Sequence, residues 1–317
     1  MEYAIDARGL TKHYAATKAL DGVDLRVPAG TVFGLLGPNG AGKTTTVRAL
    51  ASLVELDAGQ AWVGGFDVVH EPHRVREIIG LTGQYASVDE KLTGRENLIL
   101  VARLLGMSRR EARERAQQML DEFHLGQAAD RAAKTYSGGM RRRLDLAVSL
   151  VGQPRILFLD EPTTGLDPRA RMELWERIRR LVEAGTTVLL TTQYLDEADA
   201  LADEIVVINE GRVIAHGTPE QLKEQVGTRM LVVAIRAGAD FDRAVSEVTD
   251  LLGVAPSIDG RRLRAPADDP DILPALVRRL DSAGIGVDEL ALQGANLDDV
   301  FLALTGDSNE PIKEGLS

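Results

Sequence analysis

The stretch Gly37-Pro38-Asn39-Gly40-Ala41-Gly42-Lys43-Thr44 follows the apolar run Thr31-Val32-Phe33-Gly34-Leu35-Leu36 and precedes Val47, Leu50, Ala51 and Val54 at helical spacing. A buried strand, a glycine-rich loop and a helix in that order restrict the chain to α/β folds that aim a helix N-terminus at a phosphate. The pattern is GxxxxGK[ST]. Its glycines let successive backbone amides turn inward on a β-phosphate, Lys43 reaches the β- and γ-phosphates, and Thr44 offers a hydroxyl to Mg²⁺. Gly37 to Gly42 with Lys43, Thr44 and Thr45 are therefore the expected nucleotide-binding stretch.

Two further motifs follow. Leu157-Phe158-Leu159-Asp160-Glu161 places adjacent carboxylates at the end of a buried strand, where Asp160 can hold Mg²⁺ and Glu161 can orient or deprotonate an attacking water. An acidic strand end is ordinary by itself and takes its meaning from the loop upstream. Between the two lies Tyr136-Ser137-Gly138-Gly139-Met140-Arg141, where Ser137 can cap a helix whose apolar stripe runs through Leu144, Ala147, Val148 and Val151. Small residues at a helix start can form an anion site; the plain alternative is a capped helix and nothing more.

With 317 residues, two domains are expected: a larger one over 1–227 and a small α+β one over 228–305, with a polar, disordered tail over 306–317. Residues 86–150 are helical by pattern, and Ser108 with Glu111 reads as a capping box. Apolar runs at 156–159 and 187–190 suit strands of a parallel sheet, and 205–208 with 212–214 bracket an Asn-Glu-Gly hairpin turn. Beyond 227 the order is βαββαβ, which suggests a ferredoxin-like unit. A final helix begins with Asn296 as N-cap and carries Leu297, Val300, Phe301 and Leu304 on one face, so it is expected to dock on a domain. No apolar run approaches the ~20 residues of a membrane span, the opening Met1-Glu2 lacks a signal pattern, and cysteine is absent, which excludes disulfide and thiolate-metal chemistry. A net charge of -11 argues against nucleic acid as a partner despite the basic run Arg141 to Arg143.

In order and spacing, these elements resemble the nucleotide-binding subunit of ABC transporters from about residue 3 to about residue 225. The resemblance implies a P-loop NTPase fold with a helical insertion, and Mg-ATP bound in a dimer where Ser137, Gly138 and Gly139 of one subunit close over the γ-phosphate held by the other. It implies that Tyr14 stacks on adenine, although an N-terminal tyrosine is otherwise commonly core. Gln84, in LTGQYASVDEKLTGREN, then touches Mg²⁺ and water, and Asp167, in TTGLDP, crosses the dimer interface, although an Asp before Pro is often only a turn former. One position departs from the family: Gln193 stands where a histidine usually contacts the γ-phosphate. An amide can donate a hydrogen bond but carries neither proton nor charge, so a retained contact with altered rate or coupling is expected. The alternative is that Gln193 caps the following helix.

YSGGM, TTQYLDEAD and the closing LDDVFLALTG are similar to the ATP-binding subunits of daunorubicin/doxorubicin-resistance exporters over nearly the whole chain. That resemblance implies a homodimer bound to a separately encoded ABC-2-type integral membrane permease, peripheral at the cytoplasmic face of the cell membrane, energising efflux of a drug-like or lipid-like amphipathic compound. The C-terminal unit is expected to support dimerisation or permease docking. The competing reading is a soluble ABC ATPase of translation or DNA repair; such proteins carry two nucleotide domains in one chain, a long coiled coil or cysteine-bound zinc, none visible here. A degenerate ATP sensor is favoured only by Gln193 and opposed by Lys43, Asp160 and Glu161.

Overall fold

The computed structural model describes residues 2–15, 17–83, 88–225, 229–267, 269, 271–294 and 296–305. Gln84, the start of the helical insertion at 86–87, the expected boundary at 227/228 and the tail from 306 lie outside these residues. The chain forms two compact units, Met1–His216 and Gly217–Ser317.

The first unit opens with the long strands β1 (Tyr3–Tyr14) and β2 (Thr17–Pro28), paired antiparallel. The short, wholly buried β3 (Val32–Leu36) leads through the glycine-rich loop into α1 (Lys43–Leu50). β4 (Ala58–Val63) and β5 (Phe66–Asp67) then complete a four-stranded sheet in the order β2-β1-β4-β5. After α2 (Pro72–Ile78) and β6 (Ile79–Thr82), the chain enters the helical insertion: α3 (Gly94–Leu104), α4 (Arg109–Glu122) and α5 (Gly138–Ser149). The expected capping box is present at α4, with the Glu111 amide donating to Ser108 Oγ at 3.2 Å and the Ser108 amide donating to Glu111 Oε2 at 2.7 Å. The same device, unread in the sequence, starts α3 through Thr93 and Glu96.

β7 (Ile156–Asp160), α6 (Pro168–Glu183), β8 (Thr187–Thr192), α7 (Leu195–Leu201), β9 (Glu204–Asn209) and β10 (Arg212–Gly217) complete a six-stranded sheet in the order β10-β9-β3-β8-β7-β6. The pairs β9–β3, β3–β8, β8–β7 and β7–β6 are parallel. β3, β7 and β8 lack polar alternation because the sheet is covered on both sides. Leu157, Leu159, Val188 and Leu190 face the core shared with the insertion, while Phe33, Leu35, Phe158 and Leu189 face the core shared with the antiparallel sheet. The β9–β10 turn places Glu210 at φ 47° and Gly211 at φ 75°, the two left-handed positions that a tight hairpin requires.

The second unit contains α8 (Pro219–Glu224), β11 (Arg229–Ile235), α9 (Phe241–Leu252), β12 (Ser257–Asp259), β13 (Arg262–Pro266), α10 (Ile272–Ser282), β14 (Val287–Gly294) and α11 (Leu297–Thr305). Its sheet runs β12-β13-β11-β14 with every pair antiparallel, the strand order of a ferredoxin-like βαββαβ unit. Leu231, Val233 and Leu263 pack on α9 and α10, through Ala244, Val248, Leu276 and Leu280. On the other parity, Arg264 forms a bidentate pair with Asp299 of α11 at 3.0 and 2.9 Å. Asn296 caps α11 as expected, accepting from the Asp299 amide at 2.9 Å. Leu297 and Val300 are buried, and α11 also packs on α8. Thus α8 joins the second unit, and the division falls at Gly217.

Candidate nucleotide site

The loop after β3 owes its path to glycine. A Cβ on Gly37 would run into the Ile208 carbonyl oxygen, and one on Gly42, at φ 111°, would lie 2.5 Å from the Ala19 carbonyl oxygen. Both residues are pressed against neighbouring backbone, so the loop cannot open without moving the sheet. Lys43, at the first turn of α1, is 4% exposed. Its ammonium donates to the carbonyls of Gly37 at 2.7 Å and Pro38 at 3.0 Å, and Glu161 Oε1 lies 3.7 Å away. Burial pulls the Lys43 pKa below its ordinary value, and the charges of Glu161 and Asp160 oppose that shift.

Asp160 ends β7, directly opposite Thr191 of β8. Its Oδ1 accepts from Thr191 Oγ1 at 2.5 Å and from Thr44 Oγ1 at 3.2 Å. Two hard oxygen donors, one hydroxyl and one carboxylate, therefore converge beside the phosphate loop, a set that fits Mg²⁺. Glu161 is the next residue and has φ 48°, a left-handed backbone that costs a non-glycine residue roughly 1–3 kcal/mol. The kink is held because its amide donates to Thr191 O and Oγ1, both at 3.1 Å. It turns the carboxylate out of the strand direction and toward Lys43.

Ser137 is the N-cap of α5, accepting from the Met140 amide at 3.3 Å. Ser137 and Gly138 are exposed, and a Cβ on Gly138 or Gly139 would meet no atom of the described residues within 4 Å. Tyr136, beside them, is a structural anchor: its hydroxyl donates to the Ala128 carbonyl at 2.7 Å. Tyr14 is 46% exposed at the end of β1, with Lys12 Nζ 5.7 Å from its ring centre, so it is not the core residue of the alternative reading. Asp167 is exposed and caps α6, accepting from the Ala170 amide at 2.9 Å, with Pro168 at the first helical position. Gln193 is half-buried between β8 and α7; the N-cap of α7 is Tyr194 and no side chain caps it, which removes the capping alternative.

Sequence reasoning passed over three residues. Thr191 is visible only once β8 is known to lie beside β7. Arg142, read merely as part of a basic run, is turned inward, while Arg141 pairs with Glu90 at 2.9 Å. Glu197, on the first turn of α7, is fully buried; burial raises its pKa, tempered by the Thr192 and Thr163 hydroxyls and by Trp175. Among the described residues no helix is long and apolar enough to cross a membrane.

A parallel sheet, a phosphate loop, an Asp-Glu strand end and a glycine-started helix on an insertion define a P-loop ATPase of the ABC type. Residues 20–164 match the family described as ABC transporter. The chain is 54% identical over 305 residues to the daunorubicin/doxorubicin resistance ATP-binding protein DrrA of Streptomyces peucetius, covering 96% of this chain and 92% of that one. It is 40% identical over 304 residues to the Nod factor export ATP-binding protein I of Ralstonia nicotianae, covering 95% and 94%. Among solved structures, an ATP-binding subunit of an ABC transporter superposes with a TM-score of 0.64 at 30% identity, over 70% of this chain and 92% of that one. The dimeric post-hydrolysis state of the ATP-binding cassette MJ0796 bound to ADP and Pi gives 0.64 at 25% identity, over 68% and 98%. The chain belongs to the daunorubicin/doxorubicin resistance ATP-binding proteins of the ABC transporter family. It is the ATP-binding, ATP-hydrolysing subunit of an ABC transporter.

Proposed function

We propose that two copies of this chain close over two ATP molecules and drive an ABC-2-type integral membrane permease that exports a drug-like or lipid-like amphipathic compound, anthracyclines included. The relatives above carry resistance and export names, which favours this reading over a soluble ATPase of translation or DNA repair. The observation that carries the dimer is the start of α5: among the described residues no neighbour requires Gly138 or Gly139 to be glycine, as an added Cβ would meet nothing within 4 Å. Glycine there makes sense if another molecule approaches the backbone closely. The nucleotide on the partner's phosphate loop is that molecule.

Within each site, the backbone N–H groups from Asn39 to Lys43 and the Lys43 ammonium neutralise the β- and γ-phosphates, and Tyr14 stacks on the adenine. Thr44 and Asp160, with Gln84, would hold Mg²⁺. The ion would supply charge neutralisation for the phosphates. Glu161 orients the water and takes its proton, Gln193 donates a neutral hydrogen bond to the γ-phosphate, and Asp167 meets the partner across the interface. The helical insertion passes closure to the permease at the cytoplasmic face of the membrane. The C-terminal unit supports dimerisation or permease docking. The test is affinity purification of the full chain from detergent-solubilised native membranes. Recovery of a permease with several spans supports the assembly; recovery only in the soluble fraction, or with ribosomes or DNA, overturns it.

A further inference from the structure

Arg142 lies on α5, five residues after Ser137, and its side chain is 18% exposed. Its Nε donates to the Pro162 carbonyl at 2.6 Å. Nη2 donates to the carbonyls of Asp160 at 3.2 Å and Glu161 at 3.0 Å. Nη1 donates to Asp145 Oδ2 at 3.2 Å and to the Gly83 carbonyl at 3.5 Å. A guanidinium has five N–H donors in a rigid plane, so these acceptors account for all of them. Three of the acceptors are consecutive carbonyls, that of Asp160 at the last paired position of β7 and those of Glu161 and Pro162 just beyond it, where backbone acceptors must find donors outside the ladder. The fourth carbonyl belongs to Gly83, the residue before Gln84. Asp145 is 3% exposed and balances the charge.

We propose that Arg142 is the positioning residue that ties α5 to the catalytic end of β7, holding Glu161 in its left-handed conformation. The reasoning is geometric. The Glu161 peptide is strained, at φ 48°, and is fixed on one side by the Thr191 contacts to its amide. Its carbonyl, on the other side, is fixed by Arg142. Any shift of α5 moves a rigid plane bonded to residues 160, 161 and 162 together. Because Ser137, Gly138 and Gly139 start that same helix, a partner's nucleotide seated on them adjusts the carboxylate of this subunit's own site. A lysine could not replace Arg142, since an ammonium has three donors and no plane. This inference rests on the proposed role of Glu161 and names the device that aims it.

The test uses the purified full-length chain with ATP, comparing Arg142→Lys, the charge-balanced Arg142→Gln/Asp145→Asn, Glu161→Gln, and Arg142→Lys/Glu161→Gln. Expected for both Arg142 variants is a kcat at least about tenfold lower, with ATP affinity within about threefold and a cooperative thermal transition retained. In the Glu161→Gln background, adding Arg142→Lys should lower the single-turnover rate by less than about threefold, because the two residues act as one unit. Unchanged kcat, a matching fall in ATP affinity, or the full loss repeated in the Glu161→Gln background would each overturn the proposal, as would failure of both Arg142 variants to fold. Near-normal turnover of Glu161→Gln would instead overturn the role of Glu161 itself, and is read independently of any Arg142 variant.

Discussion

The phosphate loop and the start of α5 are both glycine-rich turns into helices, yet their glycines answer different needs. Gly37 and Gly42 are demanded from within, since side chains there would strike the backbone at Ile208 and Ala19. Among the described residues, Gly138 and Gly139 are demanded by nothing within 4 Å of where a Cβ would be. One turn is finished by the packing of its own subunit, with Lys43 buried and bonded. The other stands open, with Ser137 and Gly138 exposed. On the function proposed above, the closed turn is the half of an ATP site that one chain builds alone, and the open turn is the half it offers to a second chain.

The comparison can be broken most forcefully at Glu161. Glu161→Gln should lower the hydrolysis rate by about 10²–10⁴-fold while ATP binding and dimer closure persist, as measured by turnover and by size-exclusion chromatography with ATP. Turnover near that of the parent would mean that another group handles the water. Next, Lys43→Ala should weaken ATP binding by about 10–100-fold, because the phosphates lose a charge-assisted partner in a buried setting. Titration calorimetry showing unchanged affinity would end the idea that the loop is complete within one subunit.

Gly138→Val probes the open half. It should alter unfolding free energy by no more than about 0.5 kcal/mol, since the added Cβ meets no atom of the described residues within 4 Å, and yet cut hydrolysis by roughly tenfold or more. Full activity would show that nothing packs there. The smallest effect is expected at Glu197, behind the Gln193 turn. Its folded-state pKa is raised by burial above the ordinary glutamate value of 4.5, so the protonated form is favoured in the folded state. Stability is therefore fully present below about 4.5 and declines as pH rises through the raised pKa. Glu197→Gln should remove that component and flatten the pH dependence of urea unfolding. A parallel slope in variant and parent would show that Glu197 is not its source.

How much was legible in the residues follows from what kind of interaction each feature depends on. The phosphate loop, the Asp160-Glu161 strand end and the Ser108 capping box are local, and the spacing of a few residues contains their physical reason. The βαββαβ order of the second unit was legible for the same cause, as periodicity and turns are short-range. Thr191 was not, because its value to Asp160 arises only when β8 lies in parallel register beside β7. Arg142 was passed over for a related reason: a run of three arginines does not say which member turns toward the loop after β7 until α5 is laid against it.

By itself, the sequence determined that a strand must deliver glycines, a lysine and a threonine to the mouth of a helix, and that an acidic pair must end another strand. Hydrophobic period and backbone freedom decide such things within one or two elements. Only the tertiary structure decided that the Glu161 backbone is left-handed, that Thr191 and Arg142 hold it from opposite sides, and that the glycines of α5 face open space. Those are relations between segments distant in sequence, created when β7, β8 and α5 are packed around one core, and no residue carries them alone.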